Sequence, residues 1–239
     1  MFGRFLELGI ATPDITASVQ FYERLGFKQL LVGDAWPHRY GVLSDGHIHL
    51  GLHERAVPSP SLHFVLPELA QARARLAAAD FEAELAQFGE DRLHELRLRD
   101  PAGQPITLLE ARTFSPAAPE QAAESLCGYF SHLSLPQSDF KAARRFWERA
   151  GMVALAAVKQ PYPHVPLTSD VLDLAFHRQQ LSAAPALVFD GEDLDRRRAQ
   201  LQAQNIPLSP RLPRGLQAGA CLPIEAPEGT QLWILGGAA

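Results

Sequence analysis

The chain has 239 residues, 46% of them hydrophobic and 21% charged, enough to bury one large core or two of about 110 residues without staples. A net charge of −5 supplies no basic field for nucleic acid, and the run Arg196–Arg198 sits beside Asp193 and Asp195 as a solvated helix face. Cys127 and Cys221 have no CxxC partner and are expected as free thiols. No apolar run reaches 18 residues and no signal-like segment opens the chain, so a soluble, cytoplasmic protein with no membrane contact is expected.

Leu6, Leu8 and Ile10 alternate with Phe5, Glu7 and Gly9, which predicts a strand. Asp14 then stands where a side-chain oxygen can cap free helix N–H groups. Ile15, Val19, Tyr22 and Leu25 follow at helical spacing, and Gly26 fits the left-handed residue that closes a helix. Strand-like runs come next at 27–33, 39–44 and 47–54. The pattern then restarts with a strand at 61–66, a helix at 68–78, and strands near 81–87, 92–99 and 105–112. This is β-α-β-β-β written twice. The Pro-, Ala- and Glu-rich stretch Thr113–Ser125 has no apolar period and reads as a linker.

The whole pattern then recurs. "DITASVQFYERLGF" (Asp14–Phe27) faces "DFKAARRFWERAGM" (Asp139–Met152), identical at six of fourteen positions and 125 residues further on. "ELGIATPD" faces "HLSLPQSD", "WPHRYGVLSDG" faces "YPHVPLTSD", "SLHFVLPEL" faces "ALVFDGEDL", and "DPAGQPITLL" faces "APEGTQLWIL", all in order. Five registered matches predict an internal duplication. The expected organisation is a domain over 1–112, a linker over 113–126, and an equivalent eight-stranded domain over 127–239.

The stretches "GIATPDITASVQFYERLGF" and "RDPAGQPITLLE" resemble the vicinal oxygen chelate superfamily of glyoxalases, bleomycin-resistance proteins and extradiol dioxygenases. The resemblance implies an α+β fold of tandem, paired βαβββ modules whose curved sheets enclose a cavity. It also implies a divalent metal, held by a residue early in the first strand, one opening the second module and a carboxylate in the last strand. At those positions the first domain offers Glu7, Ser61 and Thr107, and the second offers His132, Ala186 and Trp233. Each set contains one good ligand, and mixing the two domains does no better. No tightly bound metal is therefore expected at the family position, and a divalent metal stays as the alternative.

Other residues compete for that role. "GHIHLGLHE" puts His47, His49 and His53 on one strand face, and His63 shares a face with Ser61. Glu7, His49 and His63 form a substitute metal set; the opposing reading is a wet strand end and a satisfied buried histidine. Trp36-Pro37-His38 and Tyr162-Pro163-His164 form either pocket lips with a ligand-facing imidazole or rigid turns. His53 and His177 align as a pair. Glu110 has the wrong parity for the site and reads as an exposed or rim carboxylate. Trp233 with His132 is expected to make the better small-molecule pocket, with core filling by Trp233 as the alternative.

Two functions fit these observations. The first is a small-molecule binding protein of the bleomycin-resistance type with a degenerate metal site. Glu7, Ser61, Thr107, His63, His38, His132, His164 and Trp233 would be its ligand-facing residues. The second is a metal-dependent glyoxalase-like lyase or dioxygenase using non-standard ligands. A metal-free enzyme with Glu7 or His132 as general base is a thinner third. The partner is a small organic molecule, and the chain is expected as a monomer with an internal pseudo-dimer, or as a homodimer.

Overall fold

A computed structural model of the protein describes residues 2–32, 36–90, 93–111 and 125–236. The expected linker falls largely on residues 112–124, which lie outside this set. The first half runs β1(Arg4–Ala11) α1(Ile15–Arg24) β2(Lys28–Leu30) β3(Tyr40–Ser44) β4(His49–His53) β5(Ser61–Leu66) α2(Leu69–Ala78) β6(Leu85–Gln87) β7(Glu95–Arg99) β8(Pro105–Glu110). The second runs β9(Tyr129–Gln137) α3(Phe140–Ala150) β10(Val153–Ala154) β11(His164–Thr168) β12(Leu174–Arg178) β13(Ala186–Gly191) α4(Leu194–Ala203) β14(Cys221–Glu225) β15(Gln231–Gly236).

Each half is one mixed sheet, in the order β2-β3-β4-β1-β5-β8-β7-β6 and β10-β11-β12-β9-β13-β15-β14. The two modules of a half join through their first strands, β1 with β5 and β9 with β13, both antiparallel. The fold is α+β with two domains, as the periodicity predicted. The second sheet has seven strands among the described residues rather than eight. Between α4 and β14 the sequence carries Pro207, Pro210 and Pro213, which have no N–H to give a ladder.

The duplicated helices start alike. Asp14 Oδ1 accepts from Ala17 N at 3.0 Å, and Asp139 Oδ1 accepts from Lys141 N and Ala142 N at 2.9 and 3.0 Å. Gly26 and Gly151 follow them at φ 96° and 111°. Helix α2 is capped from outside, because Glu110 Oε2 accepts from Leu69 N at 3.0 Å. The carboxylate expected at a rim is thus a helix cap, also bonded to His94 Nδ1 at 2.9 Å.

The halves are related by an exchange of contacts. On α1, Tyr22 donates to Glu228 Oε1 at 2.7 Å and Ser18 to Glu228 Oε2 at 2.8 Å. On α3, Trp147 Nε1 donates to Asp100 Oδ2 at 3.3 Å. Each helix therefore rests on the closing turn of the opposite half. Phe2 against Trp147 and Phe27 against Phe189 carry one apolar core through both. Among the described residues no helix is long and apolar enough to cross a membrane.

Candidate metal centre

Leu8 and Ile10 of β1 are fully buried in the core, so Glu7 and Gly9 face the other way, onto the concave side of the sheet. The register between β1 and β5 slips at Leu6, with Phe5 opposite Phe64 and then Glu7 opposite His63. The same slip recurs at Ser131 in β9, immediately before His132. A bulge there re-aims the following side chain, and both halves keep it.

Glu7 is fully buried, and its carboxylate lies over Gly51 of β4. The ring of His63 lies over Gly9 in the same way. A Cβ on Gly51 would approach Glu7 to 2.3 Å and one on Gly9 would approach the His63 ring to 2.3 Å, so the two glycines open the space these groups occupy. His63 Nδ1 is 3.0 Å from Glu7 Oε1, and His53 Nε2 is 3.5 Å from the same oxygen. Tyr40 donates its phenol to Glu7 Oε2. Ligand atoms of Glu7, His53 and His63 all fall within 4.8 Å of one another.

Burial alone would raise the Glu7 pKa, but the hydrogen bond from His63 and the two neighbouring imidazoles outweigh it and hold the carboxyl well below its usual range. Burial and the Glu7 charge push the Tyr40 phenol up, so it stays a donor. Burial, with His53 and Arg55 nearby, pulls His38 down. A cleft of about 470 Å³ opens above the cluster, lined by Trp36, His38, His53, His63, Arg97 and Thr107 among others.

These residues fit a divalent metal. One carboxylate and two imidazoles are the donor set that suits iron, manganese or zinc and leaves positions open. His53 Nε2 is buried, aimed at the carboxylate, and has no hydrogen-bond partner among the described residues.

The register corrects the expected ligand positions. The residue opposite Glu7 is His63, not Ser61, and His63 pairs in turn with Thr107. Ser61 and Thr107 bond each other at 3.0 Å, both buried. In the substitute set, His49 gives way to His53, because the His49 ring turns to the Leu6 carbonyl at 3.2 Å. His53 was missed because its membership depends on β4 lying parallel to β1, which places Ala11 opposite His53. Parity alone could not choose between residues 49 and 53.

In the second half the counterparts are His132, Val188 and Trp233, not Ala186. The aromatic-Pro-His alignment also shifts by two residues. Tyr40 pairs with His53 as His164 pairs with His177, so Tyr162 stands in the place of His38. Tyr162 reaches inward, 2.7 Å from His132 Nε2 and 2.9 Å from Ser134 Oγ. Trp233 is 1% exposed and meets Tyr162 edge to face at 5.8 Å, packed with Leu181, Val188 and Leu216. Side chains therefore fill the region expected to be the better pocket. Burial and neighbouring imidazoles pull His132 down to about 3.

The profile of the Glyoxalase/Bleomycin resistance protein/Dioxygenase superfamily matches residues 4–108. The first half of the chain matches this superfamily, and the second half repeats its βαβββ arrangement. Among solved structures it is similar to a catechol 2,3-dioxygenase, at TM-score 0.60 and 18% identity over 98% of this chain and 87% of that one. It is also similar to an extradiol ring-cleaving dioxygenase from B. fuscum, at TM-score 0.63 and 17% identity over 98% and 71%. A homoprotocatechuate 2,3-dioxygenase mutant from Brevibacterium fuscum gives TM-score 0.62 and 16% identity over 98% and 71%. Identities this low show a shared fold. A search of curated sequences gave no significant match.

Proposed function

We propose that the first half binds one divalent metal on Glu7, His53 and His63 and admits a small organic molecule from the cleft above, as a metal-dependent enzyme of the superfamily. The observation that carries this reading is the convergence of one carboxylate and two imidazoles, with His53 Nε2 left without a partner beside Glu7. When bound, the metal would supply Lewis-acid or redox chemistry to a substrate that chelates through oxygen.

The chain's own residues prepare that chemistry. Tyr40 engages Glu7 Oε2 and leaves Oε1 toward the two histidines. Low proton affinity at Glu7 keeps the carboxylate charged at neutral pH. Trp36, Val57 and Pro58 wall the cleft with apolar surface and limit water, while Arg97, bonded to Glu95, adds a polar edge. The superfamily relatives named above are dioxygenases, which supports oxygen-bearing ring compounds as the substrate class.

The second reading is a metal-free binding protein. The hydroxyl at Thr107 and the filled second half favour it. Elemental analysis and Co(II) titration of untagged protein separate the two. The expected result is one metal per chain, lost in Glu7→Gln and in His63→Ala and kept in His132→Ala. No uptake of Fe(II), Mn(II), Co(II) or Zn(II) by the wild type would leave the binding protein standing.

A further inference from the structure

His38 belongs to the Trp36-Pro37-His38 segment, and its imidazole has no part in the chemistry proposed above. Its Nε2 lies 3.0 Å from His53 Nδ1. The other nitrogens of this pair, His38 Nδ1 and His53 Nε2, are both buried without a hydrogen-bond partner among the described residues. A hydrogen bond between two imidazole nitrogens contains one proton, so the donor must be chosen. If His38 donates, neutral His53 carries its proton on Nε2, aimed at Glu7 Oε1 from 3.5 Å, beyond the usual N–H···O length. If His53 donates, its Nε2 is a bare lone pair beside a carboxylate, an arrangement that needs a cation between them.

The filled half shows the opposite choice. The counterpart histidine, His177, has Nε2 3.0 Å from the Ser182 carbonyl, which can only accept, so the proton sits on Nε2. Its Nδ1 then accepts from Ser134 at 2.8 Å. Both nitrogens are committed there, and Tyr162 stands where His38 stands in the first half. One half thus locks its histidine in a form that cannot ligate through Nε2. The other leaves Nε2 open and holds Nδ1.

We propose that His38 is a positioning residue: by accepting the Nδ1–H of His53 it fixes that ring's tautomer and orientation, so that Nε2 can meet a divalent cation beside Glu7 and His63. This role rests on the metal reading above. A metal-bound histidine commonly gives its second ring N–H to such a partner, and loss of the partner lowers metal affinity by roughly 10- to 100-fold. The Trp36 ring packs on both imidazoles, at 5.6 Å from His38 and 5.2 Å from His53, and pins the pair. The same proton assignment leaves an N–H on His38 Nδ1, the second atom without a partner, for a water or ligand oxygen to complete.

Long-range ¹⁵N spectra of the Zn(II)-loaded wild type should show His53 protonated on Nδ1. Co(II) affinity should fall by about 10- to 100-fold in His38→Ala and return to within about threefold in His38→Gln, whose side-chain oxygen can still accept. Thermal melts of both variants report whether the fold is kept, and the wild-type spectrum decides the tautomer if neither folds. Wild type that takes up no Co(II) sinks the metal reading and this role with it. Wild type that binds Co(II) with His53 protonated on Nε2 sinks the role of His38 alone. So does unchanged affinity in His38→Ala, or a Gln variant as weak as the Ala variant.

Discussion

The carboxylate of Glu7 lies against the backbone of Gly51, where a Cβ would stand 2.3 Å from its Cδ and 2.4 Å from both oxygens. No side chain other than hydrogen fits at 51 while Glu7 keeps its place. Gly51→Ala is expected to cost about 1–3 kcal/mol through overpacking and to abolish Co(II) uptake by expelling the carboxylate. Gly41→Ala is the control, since its nearest neighbour would be 3.7 Å away. Urea denaturation and Co(II) titration of both variants read the outcome. Normal metal uptake by Gly51→Ala would show that Glu7 is free to move.

Trp233 illustrates the opposite use of a concave face. It is buried against Tyr162 and His177, 5.8 and 5.6 Å away by ring centroids. Trp233→Ala is expected to cost roughly 3–5 kcal/mol, as for other large core truncations. Metal uptake at the other half should not change. A variant of near wild-type stability in denaturant would mean that this region is not packed as core.

Much of the fold was legible because its signals are local. The alternation of Leu8 and Ile10 with Glu7 and Gly9, the caps Asp14 and Asp139, and the closing glycines act within a few residues, and the duplication repeats each of them. The site was legible only in part. Glu7 and His63 could be named from strand parity, but their pairing depends on a one-residue bulge at Leu6 that no local signal marks. His53 depends on which strand lies beside β1, a long-range fact. Tyr162 replaced His38 because a two-residue shift in the loop before β11 is invisible in an alignment that matches aromatic, proline and histidine by type.

The contact exchange between the halves also makes a prediction. Tyr22 is fully buried and donates to one oxygen of Glu228, while Ser18 donates to the other. Hydrogen bonds to charged groups contribute about 1.5–3 kcal/mol. Tyr22→Phe is expected to lose that much, and Glu228→Gln a similar amount. A double-mutant cycle in urea should give a coupling on the order of 1 kcal/mol. Additive losses would mean that the two groups contribute independently and not through the bond between them.

The second half should make the protein acid-sensitive. Burial pulls His177 down to about 4, and burial with His164 and His177 pulls His132 down to about 3, against an ordinary value of 6.5. Both rings are therefore neutral in the folded chain across a range where the unfolded chain protonates them. The unfolded state binds more protons, so stability rises with pH in that range. The contribution of these rings is complete above about pH 6.5 and is lost progressively as the pH falls toward 4 and then 3. Urea midpoints of the wild type should drop steadily from pH 7 to pH 4. The double variant His132→Gln/His177→Gln should show a shallower slope, with the remainder set by His38 and His164, which burial also holds down, and at the acid end by Glu7, whose carboxyl is held below its usual range. Glutamine cannot take up a proton, yet it can still bond Tyr162 or Ser134, so the comparison isolates the titration from the packing. Equal slopes in the two proteins would place the acid sensitivity elsewhere in the molecule.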